Sequence, residues 1–88
     1  MKRQTKKEAS RPKYVLLPDD NPLARTFAAK LHAWRKRQGL LQKQVAHDLG
    51  VSTAIVSEWE IAHRFPAVKH LYAIAKYTGI PAWNFLKP

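Results

Sequence analysis

The chain has 88 residues, 45% of them hydrophobic and three of them Trp, which suits one folded domain and excludes a wholly disordered composition. Sixteen Lys and Arg stand against six Asp and Glu, and the net charge of +10 favours a polyanionic partner. With no Cys there is no disulfide or thiolate chemistry, and the four His, at 32, 47, 63 and 70, lack the close spacing on one face that a zinc site uses, so neither metal nor cofactor is expected.

Residues 1–20 read as a basic N-terminal arm, extended or flexible, that carries Lys2, Arg3, Lys6, Lys7, Arg11 and Lys13. Its start, MKRQTKKEAS, lacks the apolar stretch of a signal peptide, and no apolar run in the chain approaches membrane-spanning length. A soluble, cytoplasmic protein with no membrane partner is the expectation. YVLL at 14–17 is the single strand-like stretch.

A domain over 21–88 follows, and its elements read as helices throughout. Asp19, Asp20, Asn21 and Pro22 form a helix start, because Asn caps with its side-chain oxygen and Pro fits a first turn where its missing N–H costs nothing. Leu23, Phe27, Leu31 and Trp34 then recur at intervals of four, four and three, which places them on one helical face. Arg35, Lys36 and Arg37 fill the last turn and Gly39 supplies a left-handed stop, so the first helix is predicted over about 22–38. A second, over about 42–49, turns Val45, Ala46 and Leu49 inward and ends at Gly50. Ser52 caps a third over about 53–60, with Val56 and Trp59 inward and Val51 as a staple. Pro66 opens a fourth in which Val68, Leu71 and Ala75 share a face and Gly79 is the stop; Pro81 begins a fifth, short turn, PAWNFL.

The charge is uneven along this order. Residues 22–38 hold five basic groups and no acid, whereas residues 39–66 hold Lys43 and Arg64 against Asp48, Glu58 and Glu60, a net −1. The third helix therefore lies in the least basic part of a basic chain.

The stretch GLLQKQVAHDLGVSTAIVSEWE, followed by RFP and a helix over 67–78, resembles the helix-turn-helix domain of phage lambda-type repressors and Cro proteins over about residues 23–86. Gly39, Leu40, Gln42, Ala46, Leu49, Gly50, Val51, Ser52, Val56, Ser57, Trp59, Glu60 and Pro66 carry the resemblance in order and spacing. The steric reason for the pattern is that Ala46 lets the third helix cross closely, Gly50 takes the positive φ of the turn, and Val56 with Trp59 locks the crossing. A small helical bundle without a nucleic-acid partner explains the apolar positions equally well, but it does not ask for a capped, outward third helix beside a basic first one. The resemblance implies an all-α, compact five-helix domain, preceded here by the basic arm.

The resemblance also implies site residues. It assigns Thr53, Ala54 and Glu58 to base-facing positions with Ser57 near them, and it places Gln42 and Lys43 against the phosphate backbone, with Ser52 and Arg64 as further candidates. It pairs Arg35 with Glu60 as a structural ion pair, one that leaves a stranded charge if a partner is removed. The reading helix lacks Arg, Lys, Asn and Gln, the side chains that grip purines in two places. The methyl groups of Thr53 and Ala54 suit thymine methyls, and Glu58 suits cytosine N4; Glu58 can equally be a solvent carboxylate or a partner for Lys43 or Arg64.

The sequence departs from the family pattern at Leu41, where a capping Ser, Thr or Asn is usual, and at Ile55 and Ile61, which are apolar where relatives are often polar. Ala54, Ile55 and Ile61 are read as an exposed apolar strip that suits a protein partner. The arm residues can reach around a duplex or into its minor groove, or serve as a solubilising tail; YVLL can pair with a partner chain or cover the first helix.

The leading function from these readings is a dimeric repressor of its own gene, bound to double-stranded DNA at a palindrome with half-sites about one helical turn apart, with Trp83, Phe85 and Leu86 as dimer surface or as closure of the core. The alternative is an antitoxin-like or adaptor protein whose main partner is a protein at the Ile55 and Ile61 face. No nucleophile–base constellation, phosphate loop or metal cluster points to an enzyme. No second domain for an effector is read, so control by protein level, partner or dimerisation is expected.

Overall fold

A computed structural model describes residues 21–87 and places four α-helices there: α1 (Pro22–Gln38), α2 (Gln42–Leu49), α3 (Thr53–Glu60) and α4 (Val68–Thr78). The fifth helix expected from PAWNFL is a 3-10 turn over Ala82–Leu86, and the described residues contain no strand. The arm residues Lys2, Arg3, Lys6, Lys7, Arg11 and Lys13, and YVLL at 14–17, lie outside the described residues. No described helix is long and apolar enough to cross a membrane.

Local chemistry accounts for the helix starts. Asn21 Oδ1 accepts the Ala24 N–H at 3.0 Å, and Ser52 Oγ accepts the Ile55 N–H at 3.2 Å. Leu41 has no side-chain acceptor to offer, and α2 is capped from the other direction: Gln44 Oε1 takes the Leu41 N–H at 2.7 Å. That is one half of a capping box, supplied by a residue inside the helix.

The ends of α1, α2 and α3 share one design. A single left-handed residue follows α1 and α2 directly and α3 after Ile61, and the next N–H reaches back to a carbonyl: Leu40 to Arg35 at 3.1 Å, Val51 to Ala46 at 3.0 Å, and His63 to Glu58 at 2.9 Å. The left-handed residue is Gly39, Gly50 and Ala62 in turn, with φ of 70°, 72° and 62°. At Gly50 a Cβ would meet no atom within 4 Å, so the backbone angle rather than lack of room calls for glycine. Ala62 adopts the same angle with its Cβ in place. The α3 stop carries no glycine signal for this reason.

The core joins Phe27 and Leu31 of α1, Val45 and Ala46 of α2, Val56 and Trp59 of α3, Ile74 of α4 and Phe85 of the 3-10 turn. Phe27 is its centre, with ring centroids of Trp59, Phe65 and Phe85 at 6.4, 5.6 and 5.5 Å. The indole N–H of Trp59 is buried and has no hydrogen-bond partner among the described residues. Tyr77 ties α4 to α2 by donating its hydroxyl to Asp48 Oδ2 at 2.6 Å; burial, then this contact, pushes its phenol up to about 12.

Several expected faces are rotated. Leu23 is exposed, and α1 buries Ala24, Phe27, Ala28, Leu31 and Arg35, a stripe whose two alanines carry little hydrophobic signal. On α4, Val68 is exposed and Ile74 is the buried residue, because the inward row runs through Leu71, Ile74 and Thr78 while Val68 lies in the row of Tyr72 and Lys76. Ile55 is half-buried against the core, which leaves Ile61 without the continuous exposed strip expected of the pair. Phe85, a candidate for the dimer surface, is completely buried: α1 packs against the 3-10 turn, and the Phe85 ring fills that contact.

Replacing Ala62 with Gly relieves the Cβ strain at the end of α3 and is expected to raise stability by roughly 0.5–1 kcal/mol. In urea titrations the midpoint should rise with the slope unchanged; a midpoint at or below that of the parent shows that the angle is not strained.

Candidate nucleic-acid interface

α3 turns two residues inward, Val56 and Trp59, and the opposite side of the helix belongs to Thr53, Ala54, Ser57 and Glu58. Thr53 and Ala54 are exposed in the first turn; Ser57 and Glu58 follow one turn later and are half-buried. The packing of α3 on both α1 and α2 sets which side faces out. Beside it, Lys43 and Ser52 are exposed at the starts of α2 and α3.

A cluster behind this face ties three helix ends together. Arg35, buried near the end of α1, donates from Nε to Glu60 Oε2 at 2.7 Å, from Nη2 to Glu60 Oε1 at 3.0 Å, and from Nη1 to the Leu40 carbonyl at 2.8 Å. Glu60, the last residue of α3, has a side chain only 3% exposed. Gln42, the first residue of α2, donates from Nε2 to Glu60 Oε1 at 3.1 Å, and His32 Nδ1 lies 3.0 Å from the same oxygen.

Burial by itself pushes the Glu60 carboxyl up, but the hydrogen bonds from Arg35, His32 and Gln42, with the charge of Arg35, outweigh it and hold the carboxyl below its ordinary value. The Arg35 guanidinium is raised, chiefly through its hydrogen bond to Glu60. The structure thus brings Arg35 and Glu60 together and adds His32, which sequence reasoning passed over, and Gln42, which it placed against the phosphate backbone. His32 carried a signal, since it stands one helical turn before Arg35. Gln42, expected against the phosphate backbone, gives one amide N–H to Glu60; its second amide N–H and its backbone N–H at the start of α2 remain as donors toward an outside anion.

The other acid of α3 is also paired. Arg64 Nε donates to Glu58 Oε1 at 2.7 Å, and the two side chains are 28% and 37% exposed. Of the partners weighed for Glu58, the structure selects Arg64. Trp83 and Leu86, the rest of the expected dimer surface, are exposed and half-buried, and Lys87 Nζ stands 4.9 Å above the Trp83 ring. No group of three or more His, Cys, Asp and Glu among the described residues has the arrangement of a metal site.

The Helix-turn-helix family matches residues 31–82. Among solved structures, the chain is similar to a hypothetical transcription factor, NHTF, from Neisseria, with a TM-score of 0.70 and 22% identity over 89% of this chain and 88% of that one. It is also similar to the BldD DNA-binding domain of S. venezulae, with a TM-score of 0.64 and 28% identity over 75% of this chain and 99% of that one. No curated protein matches the chain.

Glu60→Ala leaves the buried Arg35 without its counter-charge and is expected to cost about 3–5 kcal/mol. The depressed carboxyl adds stability that is present above its unfolded value, about 4.3, and is lost as pH falls through the folded value. Acid titration of the parent and of Glu60→Gln, followed by circular dichroism, should show less acid loss in the variant; identical curves remove Glu60 as the acid-sensitive group.

Proposed function

Since the chain belongs to the helix-turn-helix family, in its lambda repressor and Cro type, we propose that it is a sequence-specific DNA-binding transcription regulator, a dimeric repressor acting on a palindromic operator. The observation that carries this reading is the outward face of α3: Thr53, Ala54, Ser57 and Glu58 stand together on a helix whose far end is braced by Arg35 and Glu60. In this role α3 enters the major groove, Thr53 and Ala54 meet thymine methyls, Ser57 bonds to either kind of base, and Glu58 accepts from cytosine N4. Gln42, Lys43, Ser52 and Arg64 meet phosphates. Arg25, Lys36 and Arg37, exposed on α1, add to the attraction for a polyanion. The arm residues Lys2, Arg3, Lys6, Lys7, Arg11 and Lys13 supply more charge to the same end.

Dimerisation through Trp83 and Leu86 belongs to this proposal, and two-fold symmetry doubles a half-site that a polar-poor helix reads weakly. The antitoxin-like or adaptor reading leaned on an Ile55 and Ile61 face; with Ile55 against the core, Ile61 by itself is a smaller surface for a protein partner.

Fluorescence anisotropy with the duplex upstream of the gene and with a shuffled duplex, over a salt series, tests the reading. The native duplex is expected to win by about a thousandfold with a salt slope of several phosphates, and equal binding of both overturns sequence specificity. Lys43→Ala should weaken both duplexes alike and reduce the slope by about 1. Glu58→Ala should instead alter preference at one base pair, and an equal loss on every duplex removes Glu58 from base reading.

A further inference from the structure

The Arg64–Glu58 pair differs in kind from the Arg35–Glu60 pair. The Glu60 side chain is 3% exposed and braces helix ends, whereas that of Glu58 is 37% exposed and belongs to the outward face of α3. The Glu58 carbonyl also accepts the His63 N–H at 2.9 Å and the Arg64 N–H at 3.2 Å. The turn that carries Arg64 is therefore anchored on the backbone of the same residue whose carboxylate the guanidinium binds. Both the place of Arg64 and the direction of the Glu58 side chain are set by this double attachment.

We propose that Arg64 is a positioning residue for base recognition: it neutralises and orients Glu58, and the pair acts as one unit that selects a C·G base pair through the cytosine N4 amino group. This rests on the reading of α3 as the major-groove helix. The electrostatic need is plain from the composition of α3, which has two acids and no basic side chain. Duplex DNA carries one negative charge per roughly 1.7 Å of axis, so an unmatched carboxylate on the reading face is repelled. Glu60 is matched by Arg35 behind the face; Glu58 is matched at the face itself. A carboxylate offers about four lone-pair sites, so the Arg64 bond leaves acceptor capacity for an amino group. Holding the carboxylate in one direction also turns a flexible glutamate into a directional acceptor.

The test enriches a pool of duplexes with about twenty randomised base pairs, enough for two half-sites one helical turn apart, on the full chain, in parallel with Glu58→Gln, Arg64→Met and the double variant. The parent is expected to yield a motif with a C·G position preferred roughly tenfold. Glu58→Gln should move that position to A·T, since an amide suits adenine N6 and N7. Arg64→Met, which keeps the apolar stem, should flatten the same position and leave the others recognisable, and it should add nothing at that position in the Glu58→Gln background. A C·G preference that survives Arg64→Met while affinity falls on all duplexes makes Arg64 a phosphate contact only, and the inference fails while α3 remains the reading helix. A parent motif with no position moved by Glu58→Gln likewise overturns the inference alone. No enriched motif for the parent overturns the reading of α3 and this inference together.

Discussion

The Arg35–Glu60 pair is the constraint from which the rest of the arrangement follows. Its two parallel hydrogen bonds, at 2.7 and 3.0 Å, fix the end of α3 to the end of α1, and the third Arg35 donor holds the Leu40 carbonyl in the link to α2. Gln42 closes the circuit from the start of α2. A buried pair of this kind contributes little net stability over an apolar replacement, but it tolerates few geometries. Its effect here is orientation: with α3 pinned at its end and packed through Val56 and Trp59 along its length, its remaining side can face only outward.

That arrangement separates two electrostatic tasks. Five basic residues and no acid lie in 22–38, while α3 carries two acids, each matched by an arginine from another part of the chain. General attraction to a polyanion can therefore come from α1 and from the basic residues before it, while Arg64, beside the outward face of α3, is paired with Glu58. In the proposed role, a helix with few charges of its own discriminates through methyl groups, hydroxyls and one oriented carboxylate, and such contacts depend on exact placement more than on field strength. The rigid brace and the low-charge face thus suit one another.

The stop of α3 shows a related economy. Ala62 holds the left-handed angle that glycine serves at the ends of α1 and α2, and the turn is closed by the same backbone hydrogen bonds. Here the turn also delivers Arg64 to Glu58. Ala62 lies between α3 and Arg64, so a few degrees of backbone freedom there bear directly on the Arg64–Glu58 pair.

Much of the helix layout was legible from residues alone, since Asn21, Ser52, Gly39 and Gly50 act through capping and backbone sterics over a few positions. The family pattern added the Arg35–Glu60 partnership and the outward face of α3. Periodicity misjudged Leu23 and Val68, because which edge of an amphipathic helix is buried depends on what lies opposite it, and Ala24 and Ala28 announce their burial only weakly. Phe85, read as dimer surface with closure of the core as the alternative, was decided by the packing of the 3-10 turn against α1. The Gln42 amide on Glu60 and the choice of Arg64 for Glu58 were likewise decisions of tertiary structure. Sequence by itself determined the capped helix starts at Asn21 and Ser52 and the glycine stops at Gly39, Gly50 and Gly79, because those signals act between near neighbours. Tertiary structure alone decided which faces are buried and which charges meet, because those outcomes need residues brought together from separate helices.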